Sequence, residues 1–265
     1  RVERTLPFLF AHQLQQAGIT LNYDGDYGVL QRRVKNDEEL EHLRAVQKIT
    51  EATMEMACSL IGRSPADAEG VLQHEGAALT SERVRQLISR FVLDHDCTTL
   101  HDSIVVTVPH VADCHHFGTG PLRKDLPVIV DIFPTHNHTH YCGDCTRTVV
   151  NGDVSDIVRD MHACVVRANA AGCAALQPGT TGQAVHEAVA AVIREGGYSM
   201  GAPTSEKDEE WIGMRHGTGH GIGLDVHEPI LLATCGGEIL EREVFTVEPG
   251  LYSAIYGGVR VEDMV

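Results

Sequence analysis

The sequence predicts an α+β fold built from two similar halves. Three observations carry that prediction. Segments with helical spacing of apolar residues occur in two pairs, one early and one late in the chain. Runs rich in β-branched residues follow each pair. Strands and helices do not alternate one by one, which separates the chain from a doubly wound parallel sheet. With 265 residues there is room for one large domain, or for one domain and part of another.

Taken in order, Leu6–Gln16 reads as a helix and Ile19–Tyr23 as a short strand. Residues 1–35 are too few to bury a core of their own, so the main domain is expected to begin at residue 36. Asn36 can cap a helix, and Glu39, three residues on, can complete a capping box. Leu40, Leu43, Val46 and Ile49 continue that helix towards Ile61. A second helix is expected over Ser81–Leu93, with Val84, Leu87, Ile88 and Phe91 on one face. Strands are expected over Ser103–Val108, Leu126–Phe133 and Asp144–Val150. Helices return over Ser155–Leu176 and, after the break at Pro178-Gly179, over Gly182–Glu195. Strands close the chain over Val244–Glu248 and Gly258–Val265.

The formal charge of −16 argues against nucleic acid and against an anionic membrane surface, since both need a basic face. No apolar run approaches the ~20 residues that span a bilayer, and the first ten residues do not have the pattern of a signal peptide. The eight cysteines are scattered along a chain too long to need staples, which suits reduced thiols and a cytoplasmic protein. Cys142 and Cys145 have C-x-x-C spacing, but no second pair accompanies them, so a redox or zinc role is disfavoured.

The chemistry lies in acids placed where acids are costly. Asp131 interrupts the apolar run Val128–Ile132, and Asp144 opens a β-rich segment. Glu248 ends Val-Phe-Thr-Val-Glu, and Glu262 follows Val259-Arg-Val. A buried carboxylate needs a cation or hydrogen-bond donors. Singly, each of these acids would be read as a strand end facing water. Four of them beside a histidine-rich segment point to metal ions. That segment holds His216, His220 and His227 among Gly217, Gly219, Gly221 and Gly223. The spacing of His216 and His220 would share a helix face, but the glycines favour extended backbone passing close to a ligand.

The segment 216–228 resembles the signature of the Xaa-Pro peptidases (aminopeptidase P and prolidase). These form the proline-specific branch of the methionine aminopeptidase and creatinase superfamily, the "pita-bread" metallopeptidases. The flanking motifs are similar too: Asp144-Cys-Thr-Arg147-Thr148, Thr246-Val-Glu248-Pro-Gly-Leu-Tyr252 and Gly258-Val-Arg260-Val-Glu262-Asp263. The resemblance covers residues 36–265 and makes 1–35 the remnant of an N-terminal creatinase-like domain and its linker. It implies a pita-bread fold with two pseudo-symmetric halves, a homodimer, and hydrolysis of peptides with proline at the second position, as an aminopeptidase or a dipeptidase.

By position, the resemblance implies five ligands for two divalent ions. Asp131 would sit on one ion, His220 and Glu248 together on the other, and Asp144 and Glu262 would bridge. One imidazole and four carboxylates suit Mn²⁺ first, with Co²⁺ or Zn²⁺ also compatible. Two ions about 3.5–4 Å apart can share a hydroxide nucleophile and polarise the scissile carbonyl. Glu248, His227 and His115 are implied as catalytic residues, with His116 as the alternative to His115 on the substrate. His216 would line the pocket for the proline ring. Arg260, expected on one strand face with Glu262, would orient a ligand carboxylate.

The chain departs from the family pattern at Phe133, where the family usually has Gly. The interval from Asp131 to Asp144 is also longer than usual by about two residues, so that hairpin must bulge or extend. It contains His136, His138 and His140, read as a solvated loop because no acid or Cys accompanies them at fixed spacing. The competing reading is a non-catalytic binding module on the same fold. The complete ligand set weighs against it, and equally against metal-free hydrolysis of the creatinase type. Glu-Pro-Gly-Leu-Tyr and Arg-Val-Glu-Asp disfavour methionine aminopeptidase activity.

Overall fold

The computed structural model describes residue 2 and residues 6–24, 28–203 and 210–265. Six α-helices lie among them: α1 (Phe8–Gln16), α2 (Val29–Arg33), α3 (Asp37–Arg63), α4 (Ser81–Leu93), α5 (Asp156–Ala175) and α6 (Gly182–Glu195). None is long and apolar enough to cross a membrane. The sequence signals explain where they start. Asn36 Oδ1 accepts from Glu39 N–H at 3.0 Å while Glu39 Oε2 accepts from Asn36 N–H at 2.7 Å, which completes the capping box. Thr80 and Thr181 cap α4 and α6 through their hydroxyls. The buried stripe of α3 runs Leu43, Val46, Thr50, Thr53, Met54, Ala57 and Ile61, at intervals of three and four residues but for the adjacent Thr53 and Met54.

Each half pairs two helices with one sheet. In the first half, Pro127–Ile132 is the central strand of an antiparallel sheet, flanked by Ile104–Val106 and Cys145–Val150. Val128, Val130 and Ile132 pack with Met54, Ala57 and Ile61 of α3 and with Val84 and Ile88 of α4. In the second half, the strand order is Gly257–Arg260, Gly250–Ser253, Gly213–Met214, Ser199–Met200. There Met214, Leu251 and Val259 pack with Met161 and Val165 of α5 and with Val189 and Ile193 of α6. The halves are joined by hydrogen bonds at their sheet edges. Glu262 N–H donates to Thr146 O, and Thr148 Oγ1 both donates to Arg260 O and accepts from Arg260 N–H.

Two expectations are corrected, and a third is extended. Ile19–Tyr23 is not a strand: Tyr23 makes a single bridge to Val2. The neighbouring α1 buries none of its residues, and Phe8 is 83% exposed. The expected strand Gly258–Val265 is broken. Gly257–Arg260 pairs with Gly250–Ser253, whereas Asp263–Met264 turns to Thr246–Val247. The partner change at Val261 and Glu262 frees the Glu262 amide to reach Thr146, so Arg260 and Glu262 do not share one strand. Finally, Gly219–Gly221 pairs with Glu228–Leu232 in a hairpin whose register shifts after His220. The extended backbone expected from its glycines is thus one strand of a hairpin, whose partner the sequence did not indicate.

The long interval between Asp131 and Asp144 is taken up by an extension. Thr135–His136 pairs with Cys97–Thr98, and His136 N–H donates to Tyr141 O at 3.0 Å. His138 and His140 are exposed at its tip.

Candidate metal centre

Asp131 stands on the central strand of the first sheet, directly across from Thr146. Asp144 precedes Cys145–Val150, and Gln47 of α3 brackets its backbone. The Gln47 amide donates to Asp144 O at 2.9 Å, and Gln47 Oε1 accepts from Asp144 N–H at 3.0 Å. His220 lies on Gly219–Gly221, against the end of Val244–Glu248. Gly219 permits that approach, since a Cβ there would stand 1.9 Å from Thr246 O. Glu248 follows Thr246–Val247, and its amide donates to Thr218 O at 2.7 Å. Glu262 sits at the switch between strands, and its Oε2 accepts from Thr146 Oγ1 at 2.6 Å.

These side chains converge. Ligand atoms of Asp144, His220 and Glu262 all lie within 4.8 Å of one another. His220 Nδ1–H donates to Gly221 O at 3.1 Å, which turns Nε2 towards the acids, 3.9 Å from Asp144 Oδ2 and 3.6 Å from Glu248 Oε1. Asp131 Oδ2 accepts from Arg260 Nη2 at 2.6 Å, while its Oδ1 is buried with no hydrogen-bond partner among the described residues.

The electrostatics follow from burial and crowding. Burial, then Glu262, Asp131 and Glu248, push the Asp144 carboxyl well above the usual range. Burial, then Glu248 and Asp131, do the same to Glu262. Glu248 is pushed up to about 8 by burial, with Arg260 opposing and Asp131 adding to the rise. His220 is pushed down to about 4, by burial and then by His227. The neutral imidazole is in the form that ligates a metal, and a cation would reverse the acids' resistance to ionisation by holding each carboxylate charged. The orphaned Asp131 Oδ1 and the oxygen-rich donor set therefore fit divalent ions.

A cavity of about 590 Å³ opens over these residues and is lined by Asp131, Asp144, His220, Glu248, Arg260 and Glu262. His115, His216 and His227 line it as well, as does Phe133. His116 does not: its ring stacks on His110, with centroids 4.4 Å apart, and its Nδ1 accepts from Gly118 N–H. Of the two adjacent histidines, His115 faces the cavity. His227 packs its ring 4.2 Å from that of His220, and burial followed by His115 lowers its pKa. His216 is pushed down to about 3, by burial and then by Arg260. Its Nε2 accepts from the Tyr252 hydroxyl at 2.7 Å, and that hydroxyl accepts from Arg260 Nη1 at 3.0 Å.

Arg260 is thus committed to Asp131 and Tyr252 in this structure, and a ligand carboxylate would have to share it. Burial alone would lower the Arg260 pKa, but Tyr252, Asp131 and Glu248 raise it well above the usual value. Sequence reasoning missed Tyr252 and Thr146 as members of the site. Both lie inside the motifs at 246–252 and 144–148, which was their only signal. Neither Cys142 nor Cys145 is in a disulfide; both are buried, and burial raises both thiols.

Comparison with known proteins bears on the family and the fold. The model of metallopeptidase family M24 matches residues 41–265. An uncharacterized peptidase of Staphylococcus haemolyticus is 28% identical over 234 residues, 88% of this chain and 59% of that protein. One of Staphylococcus aureus (strain MRSA252) is 26% identical over 252 residues, 93% of this chain and 64% of that protein. The chain therefore spans about six-tenths of the length of these relatives. Among solved structures, the X-Pro aminopeptidase from Thermotoga maritima superposes with a TM-score of 0.79 at 26% identity, over 97% of this chain and 66% of that one. The Xaa-Pro dipeptidase from Bacillus anthracis gives 0.80 at 25%, over 99% and 67%. The prolidase from Pyrococcus furiosus, at 23% identity and a TM-score of 0.80, over 99% and 71%, shares the fold. That fold is the pita-bread fold, and the chain belongs to metallopeptidase family M24.

Proposed function

We propose that this chain hydrolyses the peptide bond preceding proline with two divalent ions held by Asp131, Asp144, His220, Glu248 and Glu262. The convergence of Asp144, His220 and Glu262 within 4.8 Å, at the floor of a cavity, carries the reading. The donor set suits Mn²⁺, with Co²⁺ or Zn²⁺ compatible. Bound there, the ions would supply Lewis acidity towards the scissile carbonyl and activate the attacking water.

The chain's own residues do the rest. The nitrogen of an Xaa-Pro bond carries no hydrogen, so it must receive a proton as the C–N bond breaks. Glu248 is the carboxyl suited to carry that proton from the attacking water to the leaving nitrogen. His227, an exposed residue of the cavity wall whose pKa is lowered, can donate to the oxygen that gains charge at the carbonyl, with His115 beside it in the lining. His216, half-buried and fixed by Tyr252, offers a flat ring face for a proline ring. The likeness to an X-Pro aminopeptidase and an Xaa-Pro dipeptidase supports this substrate class.

The test is an assay of the full-length, Mn²⁺-loaded protein with Xaa-Pro dipeptides and Xaa-Pro-Xaa tripeptides. Cleavage before proline is expected, and the better of the two substrates distinguishes dipeptidase from aminopeptidase. Failure to cleave either would overturn the reading.

A further inference from the structure

One wall of the cavity is the loop between Gly219–Gly221 and Glu228–Leu232, which contributes Leu224, Asp225, Val226 and His227 to the lining. This loop closes on a side chain outside the lining, the Glu228 carboxylate. Glu228 Oε1 accepts from Leu224 N–H at 3.0 Å and from Asp225 N–H at 3.4 Å. The carboxylate is tucked against Gly223, where a Cβ would stand 2.7 Å from Oε2 and 2.8 Å from Oε1. No other residue type leaves that space.

Glu228 is only 4% exposed, so its charge needs a partner. The partner comes from 193 residues earlier in the chain. Lys35, itself 3% exposed, places Nζ 3.1 Å from Glu228 Oε2. Arg32, on α2, brings Nε to 3.6 Å from Oε1 and donates from Nη1 to Asp225 Oδ2 at 2.9 Å. Lys35 is fixed in turn by its backbone: its amide donates to Arg242 O at 3.1 Å, and its carbonyl accepts from Arg242 Nε at 2.6 Å.

We propose that Lys35 and Glu228 are a positioning pair, through which the segment ahead of α3 sets the cavity wall formed by residues 224–227. Lys35 holds the Glu228 carboxylate in place, and Oε1 then holds the Leu224 and Asp225 amides. Neither residue touches substrate. On the reading of the cavity as a peptide site, on which this rests, the pair acts through Leu224, Val226 and His227 on substrate binding.

Three variants of the full-length, metal-loaded protein separate positioning from simple charge balance. Lys35→Met takes the closer cation from the buried Glu228 carboxylate and leaves only Arg32 Nε, 3.6 Å from Oε1. Lys35→Met with Glu228→Gln removes both charges and keeps an oxygen for the two amides. Lys35→Met with Glu228→Leu removes both charges and the oxygen. The readouts are hydrogen exchange at residues 224–227 and KM against kcat for an Xaa-Pro-Xaa tripeptide, with bound metal measured alongside. Lys35→Met and the Leu double variant are expected to exchange faster in the loop and to raise KM roughly tenfold, with metal content unchanged. The Gln double variant is expected to match wild type in both. If the two double variants behave alike, or if Lys35→Met matches wild type, the pair does not position the wall. Should Lys35→Met fail to fold, the two double variants alone decide. If wild-type protein cleaves no Xaa-Pro peptide, the hydrolase reading falls, while the exchange rates still decide whether the pair sets the wall.

Discussion

Asp131 has one satisfied oxygen and one orphan: Oδ2 takes Arg260, and Oδ1 is buried without a partner among the described residues. Glu262 is different, because Thr146 fixes its Oε2 at 2.6 Å. Removing that hydroxyl leaves Glu262 in place but free to rotate. Thr146→Val is therefore expected to weaken Mn²⁺ binding by about 10–100-fold with the fold intact, as measured by calorimetric titration. Tyr252 is a second such residue, since its hydroxyl links His216 Nε2 to Arg260 Nη1. Tyr252→Phe takes a partner from the half-buried His216 and from the buried Arg260. It should cost about 1–3 kcal/mol of stability, read from urea denaturation. A loss indistinguishable from zero would mean that the linkage does not exist in solution.

At the scale of elements, α3 does more than cover the first sheet. Its Gln47 brackets the backbone of Asp144 by donating and accepting at once. Gln47→Leu should preserve the helix, whose capping box lies three turns away, and yet reduce metal affinity by roughly tenfold. Circular dichroism and metal titration on the same sample would check both halves of that expectation. The elements also show what was legible in the sequence. The bounds of α4 and α6 were readable because an amphipathic run marks the first and the Pro178-Gly179 break precedes the second. The Gly219–Gly221 segment was readable as extended backbone making a close approach, but its pairing with Glu228–Leu232 was not, because glycines carry no signal of a strand partner. The break at Val261 and Glu262 was hidden because a run of β-branched residues does not show that a strand changes partner. The metal-ligand candidates were legible as costly acids in a familiar order. Position in the chain favoured His115 over His116, and the structure agrees in that His115 lines the cavity while His116 stacks on His110. The tie between Lys35 and Glu228 was invisible, since nothing local connects residues so far apart.

The candidate centre draws on both halves of the molecule. Asp131 and Asp144 come from the first sheet and its edge, and His220, Glu248 and Glu262 from the second half. Ions bound there would tie the halves together, so metal should stabilise the fold by mass action. The pH dependence has a definite sign. Glu248 has a folded pKa raised to about 8 from 4.5 in the metal-free protein, with burial as the main cause. Such an acid stabilises the fold below its unfolded pKa, and that contribution is lost as pH rises through the folded value. Across about 4.5 to 8 the metal-free protein should therefore lose this contribution. Metal binding needs the carboxylates ionised and releases their protons. The gain in Tm on adding Mn²⁺ should accordingly be larger at pH 8 than at pH 5, as read by calorimetry, and an equal gain at both would contradict it. The most direct measurement follows hydrolysis of an Xaa-Pro-Xaa tripeptide while metal-free protein is titrated with Mn²⁺. Cleavage before proline that rises to a plateau near two equivalents, and is absent for the matched peptide with alanine in place of proline, is the predicted result. Two bound equivalents with no cleavage, or equal cleavage of both peptides, would contradict it.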